Sequence, residues 1–156
     1  MEDRMRRIAL CLFALAALGA GAGCGEEDKG PPLSSDEFVK QANAICKEGD
    51  TKLAEEGKEL LKDPNTSGDE LTKFYLDHAV PNARTKLKRI GELNPPAKDK
   101  EKVKKMLAAG KKATDTVEEG LEEQGTAFRQ AQGPDLFKEF DDQAKSLNLD
   151  DCAGQS

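Results

Sequence analysis

Histidine and tyrosine each occur once in the 156-residue chain, as His78 and Tyr75, and tryptophan is absent. Aromatic residues make up 4% of the composition, so a hydrophobic core must rely on smaller aliphatic side chains, which bury less area each. The single histidine excludes the paired Glu-x-x-His motifs of di-iron helical bundles, and the residue three before it is Tyr75. The sequence therefore predicts no metal site.

Other catalytic arrangements are missing as well. A Ser-His-Asp or Cys-His device needs a nucleophile beside the histidine, and the serines after the N-terminal segment lie at a predicted helix start, in loops and at the tail. No C-x-x-C, P-loop, G-x-G-x-x-G or EF-hand motif occurs. Acidic clusters lie on strongly charged predicted helix faces, where solvated carboxylates contribute little acid–base catalysis. We predict a non-enzyme without catalytic residues or cofactor.

The first 23 residues have the pattern of a secretory signal peptide. Three arginines, Arg4, Arg6 and Arg7, precede an apolar run over residues 8–18, and small residues follow to Gly23. As a helix this run would reach only roughly 17 Å, whereas a membrane span needs about 20 apolar residues. The segment therefore predicts export and cleavage instead of a transmembrane helix.

The residues Gly21-Ala22-Gly23-Cys24 resemble the bacterial lipobox. The resemblance implies that the Cys24 thiol receives a diacylglyceryl group and that cleavage leaves Cys24 as the first residue. Gly21 departs from the pattern, which usually has leucine or another larger aliphatic residue there. Residues 20–22 also form an A-x-A site for ordinary signal peptidase, so cleavage after Ala22 remains the alternative.

Four cysteines occur, at positions 11, 24, 46 and 152. Cys11 would leave with the signal peptide, and lipidation of Cys24 would leave Cys46 and Cys152 as a pair. Two cysteines in an exported protein predict one disulfide. Without lipidation one thiol would be left over, so the lipoprotein interpretation accounts for every cysteine.

The expected location is the extracytoplasmic face of the cell membrane, with the lipid on Cys24 as anchor. A formal charge of −6 argues against nucleic acid as a partner. Residues 24–34 are predicted to be the lipidated N-terminus and a flexible tether, because they combine Gly, Pro and charges without apolar periodicity. The domain is predicted over residues 35–152 and a tail over 153–156.

Apolar residues recur at helical spacing over most of the domain. Helices are predicted from residue 34 or 35 to 62, from about 69 to 93, from about 96 to 124, and from 134 to about 147. Residues 125–132 could form a loop or an extra turn. The predicted fold is an all-α, up-down-up-down four-helix bundle with a Cys46–Cys152 disulfide.

Pro81 should kink the second helix, since proline removes a backbone donor and clashes with the preceding turn. The predicted apolar face of that helix contains Leu71, Phe74 or Tyr75, His78, Leu87 and Ile90. Two interpretations of this region stay open. His78 could be a partly buried histidine beside a packing aromatic, or the kink could open a small pocket lined by Tyr75, His78 and Pro81.

The layout is similar to that of small helical lipoproteins of unknown function from actinobacteria. The shared features are a cysteine near the front of helix one, the Pro95-Pro96 turn after helix two and a cysteine at the far end. This resemblance implies no activity. The expected function is a non-catalytic binding or interaction module for an unknown protein, glycan or small ligand, and the alternative is a passive envelope spacer.

Overall fold

The computed structural model describes residues 30–131 and 134–154, and this part of the chain is helical with no strand. The predicted signal peptide over residues 1–23, Cys24, the alternative cleavage site and most of the predicted tether lie outside the described residues. The all-α class and the Cys46–Cys152 pair are both confirmed, since the two sulfur atoms lie at bonding distance, 2.00 Å.

The first long helix, α1, spans Ser35–Lys62. The side chain of Ser34 accepts a hydrogen bond from the backbone N–H of Glu37 at 3.2 Å, which satisfies one of the free donors of the first turn. The helix ends before Asp63-Pro64, as the sequence predicts. Asp63 then accepts a hydrogen bond from the Asn65 N–H at 2.8 Å, which closes the turn.

The second predicted helix consists of α2, Gly68–Phe74, a π-helical turn, Tyr75–Ala79, and α3, Val80–Glu92. A capping box starts α2, with Ser67 and Glu70 bonded reciprocally. Immediately before Val80-Pro81, where the sequence predicts a kink, the helix contains the π turn, in which the Val80 N–H donates to the Tyr75 carbonyl. The extra residue in this turn rotates the following side chains relative to an unbroken helix.

The third helix, α4, spans Lys100–Gln124 and ends at Gly125, whose φ of 53° favours glycine. Residues 125–132, left open by the sequence, contain a short helix, α5, Thr126–Ala131. A 3₁₀ turn over Pro134–Phe137 then leads into α6, Lys138–Ser146. The Gly-Pro start predicted for the fourth helix thus falls at this 3₁₀ turn.

The main packing between helices is α1 on α3, α3 on α4 and α4 on α6. The contacts between α1 and α3 pair early residues of one helix with late residues of the other. Glu48 binds Arg89, Asp50 binds Lys86, and Glu56 lies beside His78. The α3–α4 ion pairs place Arg84 beside Asp115 and Glu118.

The dense part of the core lies at one end of the helices. It is built from the start of α1, the end of α3, the start of α4, and the end of α6 with the segment after it. Phe38, Ile90, Met106 and Leu149 are its largest fully buried residues. Side chains from four helical segments therefore converge here, and their burial is the main favourable term for folding.

The segment after α6 folds back onto α1. Asn43 donates from its side-chain amide to the Asn148 carbonyl at 3.3 Å and accepts from the Asp151 N–H at 3.1 Å. Cys46 and Cys152 are 2% and 4% exposed, so the disulfide is buried within this contact. The disulfide thus joins Cys152 to α1, close to the hydrogen bonds that Asn43 makes with the same segment.

The last residues of the predicted tether contact the domain. The Leu33 N–H donates to the Asn94 carbonyl at 2.9 Å, and the Asn94 side chain donates to the Gly30 carbonyl at 2.5 Å. Leu33 also packs against the core. The structured unit therefore begins by residue 30, a few residues before the predicted domain boundary. Among the described helices, none is both long and apolar enough to cross a lipid bilayer.

Candidate functional site

A cavity of about 610 Å³ lies beside the disulfide and extends along the helices away from the dense core. Well-packed interiors hold few voids larger than a water molecule, whereas small-molecule sites commonly enclose about 300–1,000 Å³. Cys46, Cys152 and Ile90 border both the core and the cavity. The space is therefore continuous with the packed interior and is large enough for a small organic molecule.

Most of the cavity wall is apolar. The side chains come from α1, the π turn, α3, α4, and the short elements after α4. The apolar residues of the wall are Leu53, Ala79, Val80, Ala83, Leu87, Ile90, Val117, Leu121, Phe128, Leu136, Phe137 and Phe140. A surface of this kind favours ligands with a substantial hydrocarbon or aromatic part.

The unequal lengths of the helices explain why this end is hollow. Helices α1 and α4 have 28 and 25 residues, whereas α6 has only 9. Beyond α6 the wall is completed by Leu136, Phe137 and Phe128, without a fourth long helix. Small side chains at Ala79 and Ala83 leave further space, and the composition supplies few large aromatics to fill it.

The polar side chains of Asp50, Asn82 and Lys86 form one edge of the cavity. The Lys86 ammonium donates to Asp50 Oδ1 at 2.5 Å across the α1–α3 interface. The two side chains are 19% and 20% exposed, so this ion pair is far less solvated than the other ion pairs of the described chain. The pairing compensates much of the cost of removing both charges from water.

Two polar atoms at this edge are buried without a hydrogen-bond partner among the described residues. They are Asp50 Oδ2, an acceptor, and Asn82 Nδ2, a donor. Buried polar atoms are nearly always paired, because an unpaired one loses its hydration without replacement. One hydrogen-bond acceptor and one hydrogen-bond donor are therefore unpaired beside the apolar cavity.

Gly49 allows these polar groups to lie against α1. A Cβ at Gly49 would come within 2.6 Å of Lys86 Cδ and 3.1 Å of Asn82 Oδ1. Asn82 and Lys86 are one helical turn apart on α3, so both side chains reach the same stretch of α1. The glycine thus permits the close approach that positions Lys86 next to Asp50.

Two further polar residues line the cavity, Thr114 and Asp141, and both are buried. The Thr114 hydroxyl donates to the Gly110 carbonyl at 2.8 Å, so it has no second hydrogen to donate to a ligand. Asp141 belongs to one of the acidic clusters that the sequence predicts on charged helix faces, but the structure places it at the cavity wall on α6.

The structure divides the residues predicted to form a small pocket at the kink. Tyr75, 39% exposed, lines the large cavity, whereas His78 and Pro81 line a separate depression of about 210 Å³. The side chain of His78 is 44% exposed and stacks on Phe74 with ring centroids 5.1 Å apart. The expected apolar face does not include His78, which lies within the π turn and is exposed.

The smaller depression is lined mostly by charged and polar side chains. His78 Nδ1 lies 3.1 Å from Glu56 Oε2, and Arg89 donates to Glu48 at 2.9 Å. The hydrogen bond from Arg89, followed by its positive charge, holds the pKa of Glu48 below its ordinary value of 4.5. Solvated ion pairs of this kind contribute little binding energy to a small ligand.

Asp50, Asn82 and Lys86 were not identified from the sequence, although helical spacing contains a signal for them. Cys46, Asp50 and Leu53 are four and three residues apart, so a carboxylate falls on the buried face of α1. Lys86 lies four residues before the buried Ile90 and so shares its face. A charged residue on each of two apolar faces suggests a buried pair.

Within residues 30–131 and 134–154, no group of three or more His, Cys, Asp or Glu side chains could hold a metal ion. The chain was also compared with known proteins. No protein-family model, curated protein or solved structure matches it.

Proposed function

We propose that the protein is a non-catalytic binding module that takes up a small, largely apolar ligand in the cavity beside the disulfide. The observation that carries this proposal is the space of about 610 Å³ with an apolar wall and one polar edge. Apolar sites with a few directed polar groups are typical of small-molecule binding. Of the partners expected from the sequence, a small ligand fits this geometry better than a protein or a glycan.

The proposed location is the extracytoplasmic face of the cell membrane, with the lipid on Cys24 as the anchor. It is supported by the signal-peptide pattern of residues 1–23 and by the lipobox resemblance. Two or more acyl chains give stable anchoring, whereas one chain gives marginal binding. A tethered domain would meet apolar molecules that concentrate at the bilayer, which gives the location a functional reason.

Binding can be tested with the full chain carrying Cys24→Ser, so that no lipid is attached and no detergent is needed. The probe is N-phenyl-1-naphthylamine, an apolar dye whose fluorescence rises in an apolar site. Ala83→Phe places a large side chain at the cavity wall. Ala108→Phe makes the same change at an exposed position of α4. We expect Ala83→Phe to weaken dye binding at least tenfold and Ala108→Phe to leave it unchanged.

Circular dichroism of both variants shows whether each remains folded. Absence of saturable dye binding by the parent would contradict the proposal, as would equal binding by a folded Ala83→Phe variant. Either result would favour the alternative, a passive spacer in the cell envelope.

We also propose that the long helical segments form an up-down-up-down four-helix bundle. The support is the opposite numbering of the α1–α3 ion pairs and of the α3–α4 contacts, in which Gly91 lies near Leu107 and Arg84 pairs with Asp115. The Asn43–Asn148 hydrogen bond further places the end of α6 near the start of α1. Spin labels at Lys40 and Lys145 should report a short distance, and a separation comparable with the length of α1 would refute this arrangement.

A further inference from the structure

The polar edge of the cavity restricts the chemistry of the ligand. Asp50 Oδ2 needs a donor, and Asn82 Nδ2 needs an acceptor, because neither atom has a partner among the described residues. Lys86 neutralises Asp50 through Oδ1, so the edge has no formal net charge. A ligand group that satisfies both atoms must donate and accept hydrogen bonds.

We propose that the ligand is an uncharged amphipathic molecule with a hydroxyl or primary amide head and an apolar tail. Rotation of the Asp50 and Asn82 side chains, whose Oδ2 and Nδ2 atoms have almost no exposed surface, would let the head donate to Asp50 Oδ2 and accept from Asn82 Nδ2. The tail would occupy the space along α3 and α4. This inference rests on the proposed function, since it assigns a ligand class to the same cavity.

Charged head groups fit this edge poorly. A carboxylate can accept from Asn82, but it has no hydrogen to donate to Asp50 and would add a second negative charge beside it. An ammonium can donate to Asp50, but it has no lone pair for Asn82 and would lie near the Lys86 ammonium. Each charged head therefore leaves one buried polar atom unsatisfied and meets a like charge.

The fluorescence of Tyr75 can report whether a ligand occupies the cavity. Tyr75 is the only tyrosine, the chain has no tryptophan, and Tyr75 lines the cavity. Its fluorescence should therefore change when a ligand fills the neighbouring space. The ligands to compare are 1-decanol, decanoate and decylamine, which share one chain length and differ only in the head group.

The titrations use the full chain with Cys24→Ser at pH 7, with each ligand below the concentration at which it aggregates. We expect 1-decanol to bind at least tenfold more tightly than either charged ligand, which corresponds to about 1.4 kcal/mol. The variant Asn82→Leu should reduce this preference to less than threefold, because it removes the donor and keeps the apolar wall. The control Arg89→Gln changes a residue of the smaller depression that does not line the cavity, and it should leave the preference intact.

Equal affinities for the three heads, or tighter binding of a charged head, would overturn the ligand class and leave the binding function standing. An unchanged preference in a folded Asn82→Leu variant would also overturn it. If none of the three ligands binds and the dye does not bind either, the proposed function itself fails.

Discussion

The aliphatic chain of Lys86 lies directly over Gly49, close enough that a Cβ at this glycine would come within 2.7 Å of both Lys86 Cγ and Lys86 Cδ. This contact sets the separation of α1 and α3 at the polar edge of the cavity. It also places the ammonium group 2.5 Å from Asp50 Oδ1. A partly buried ion pair and a glycine with no side chain are thus parts of one packing arrangement.

Replacing Gly49 by alanine should therefore destabilise the protein. Alanine gains about 1 kcal/mol of helix propensity over glycine, but overpacking costs roughly 1–3 kcal/mol, and the Lys86–Asp50 pair would be displaced. We expect a net loss of up to about 2 kcal/mol, measured by chemical denaturation.

Gly91→Ala is the matched control, because its Cβ would meet only Leu107 Cδ1, at an ordinary 3.6 Å. This variant should be neutral or more stable by up to about 1 kcal/mol. A Gly49→Ala variant that gains as much stability as Gly91→Ala would show that the close contact is not maintained.

The Cys46–Cys152 disulfide should contribute strongly to stability and take no part in redox chemistry. The two cysteines are 106 residues apart in sequence, and constraint of such a long loop in the unfolded chain corresponds to about 4–5 kcal/mol in the entropic model. Changing both residues to alanine should lower the melting temperature clearly while leaving the cold protein helical by circular dichroism. Free thiols at both positions in non-reducing peptide mapping would contradict the pairing, and so would a double variant as stable as the parent.

The ion pairs between α3 and α4 should make stability depend on acid pH. Hydrogen bonds from Lys111 and from Arg84 hold the pKa of Asp115 below its ordinary value of 3.8. Because this carboxylate is more acidic in the folded protein, its stabilising contribution is present above pH 3.8 and is lost as the pH falls through the lower folded value.

Arg84→Gln should raise the pKa of Asp115 toward 3.8 without reaching it, since the larger effect of Lys111 remains. Carbon-detected NMR titration of Asp115 measures this change directly. The stability difference between parent and variant should be largest near neutral pH and should shrink at high salt. A difference that grows on acidification would have the wrong sign for this explanation.

The native protein should begin with a diacylglyceryl-modified Cys24. Mass spectrometry of protein extracted from a bacterial envelope with detergent should show this modification at the N-terminus. Cys24→Ser should instead release an unmodified protein into the soluble exported fraction. An unmodified mature chain beginning at Gly23 would contradict lipidation and point to cleavage by ordinary signal peptidase.

Much of the secondary structure could be predicted because helix signals are local. Ser34 caps α1, the Asp63-Pro64 pair ends it, and Val103, Met106, Thr114 and Leu121 recur on one buried face of α4.

The backbone structure around Pro81 is harder to predict from the sequence. The sequence predicts an interruption there, but a kink and a π turn satisfy the same loss of a backbone donor. The structure forms a π turn over Tyr75–Ala79, with Tyr75 at the cavity and His78 at the smaller depression.

By itself, the sequence determined the all-α class, the Cys46–Cys152 pairing and the absence of recognisable catalytic motifs, because these depend on periodicity, composition and cysteine number. Only the tertiary structure decided that the shortness of α6 leaves one end of the helices hollow and that Asp50, Asn82 and Lys86 meet at its edge. Those residues lie on different helices, and local spacing can place each on a face but cannot bring two faces together. The proposed site depends on the long-range packing of α1 against α3, which the close contact at Gly49 permits.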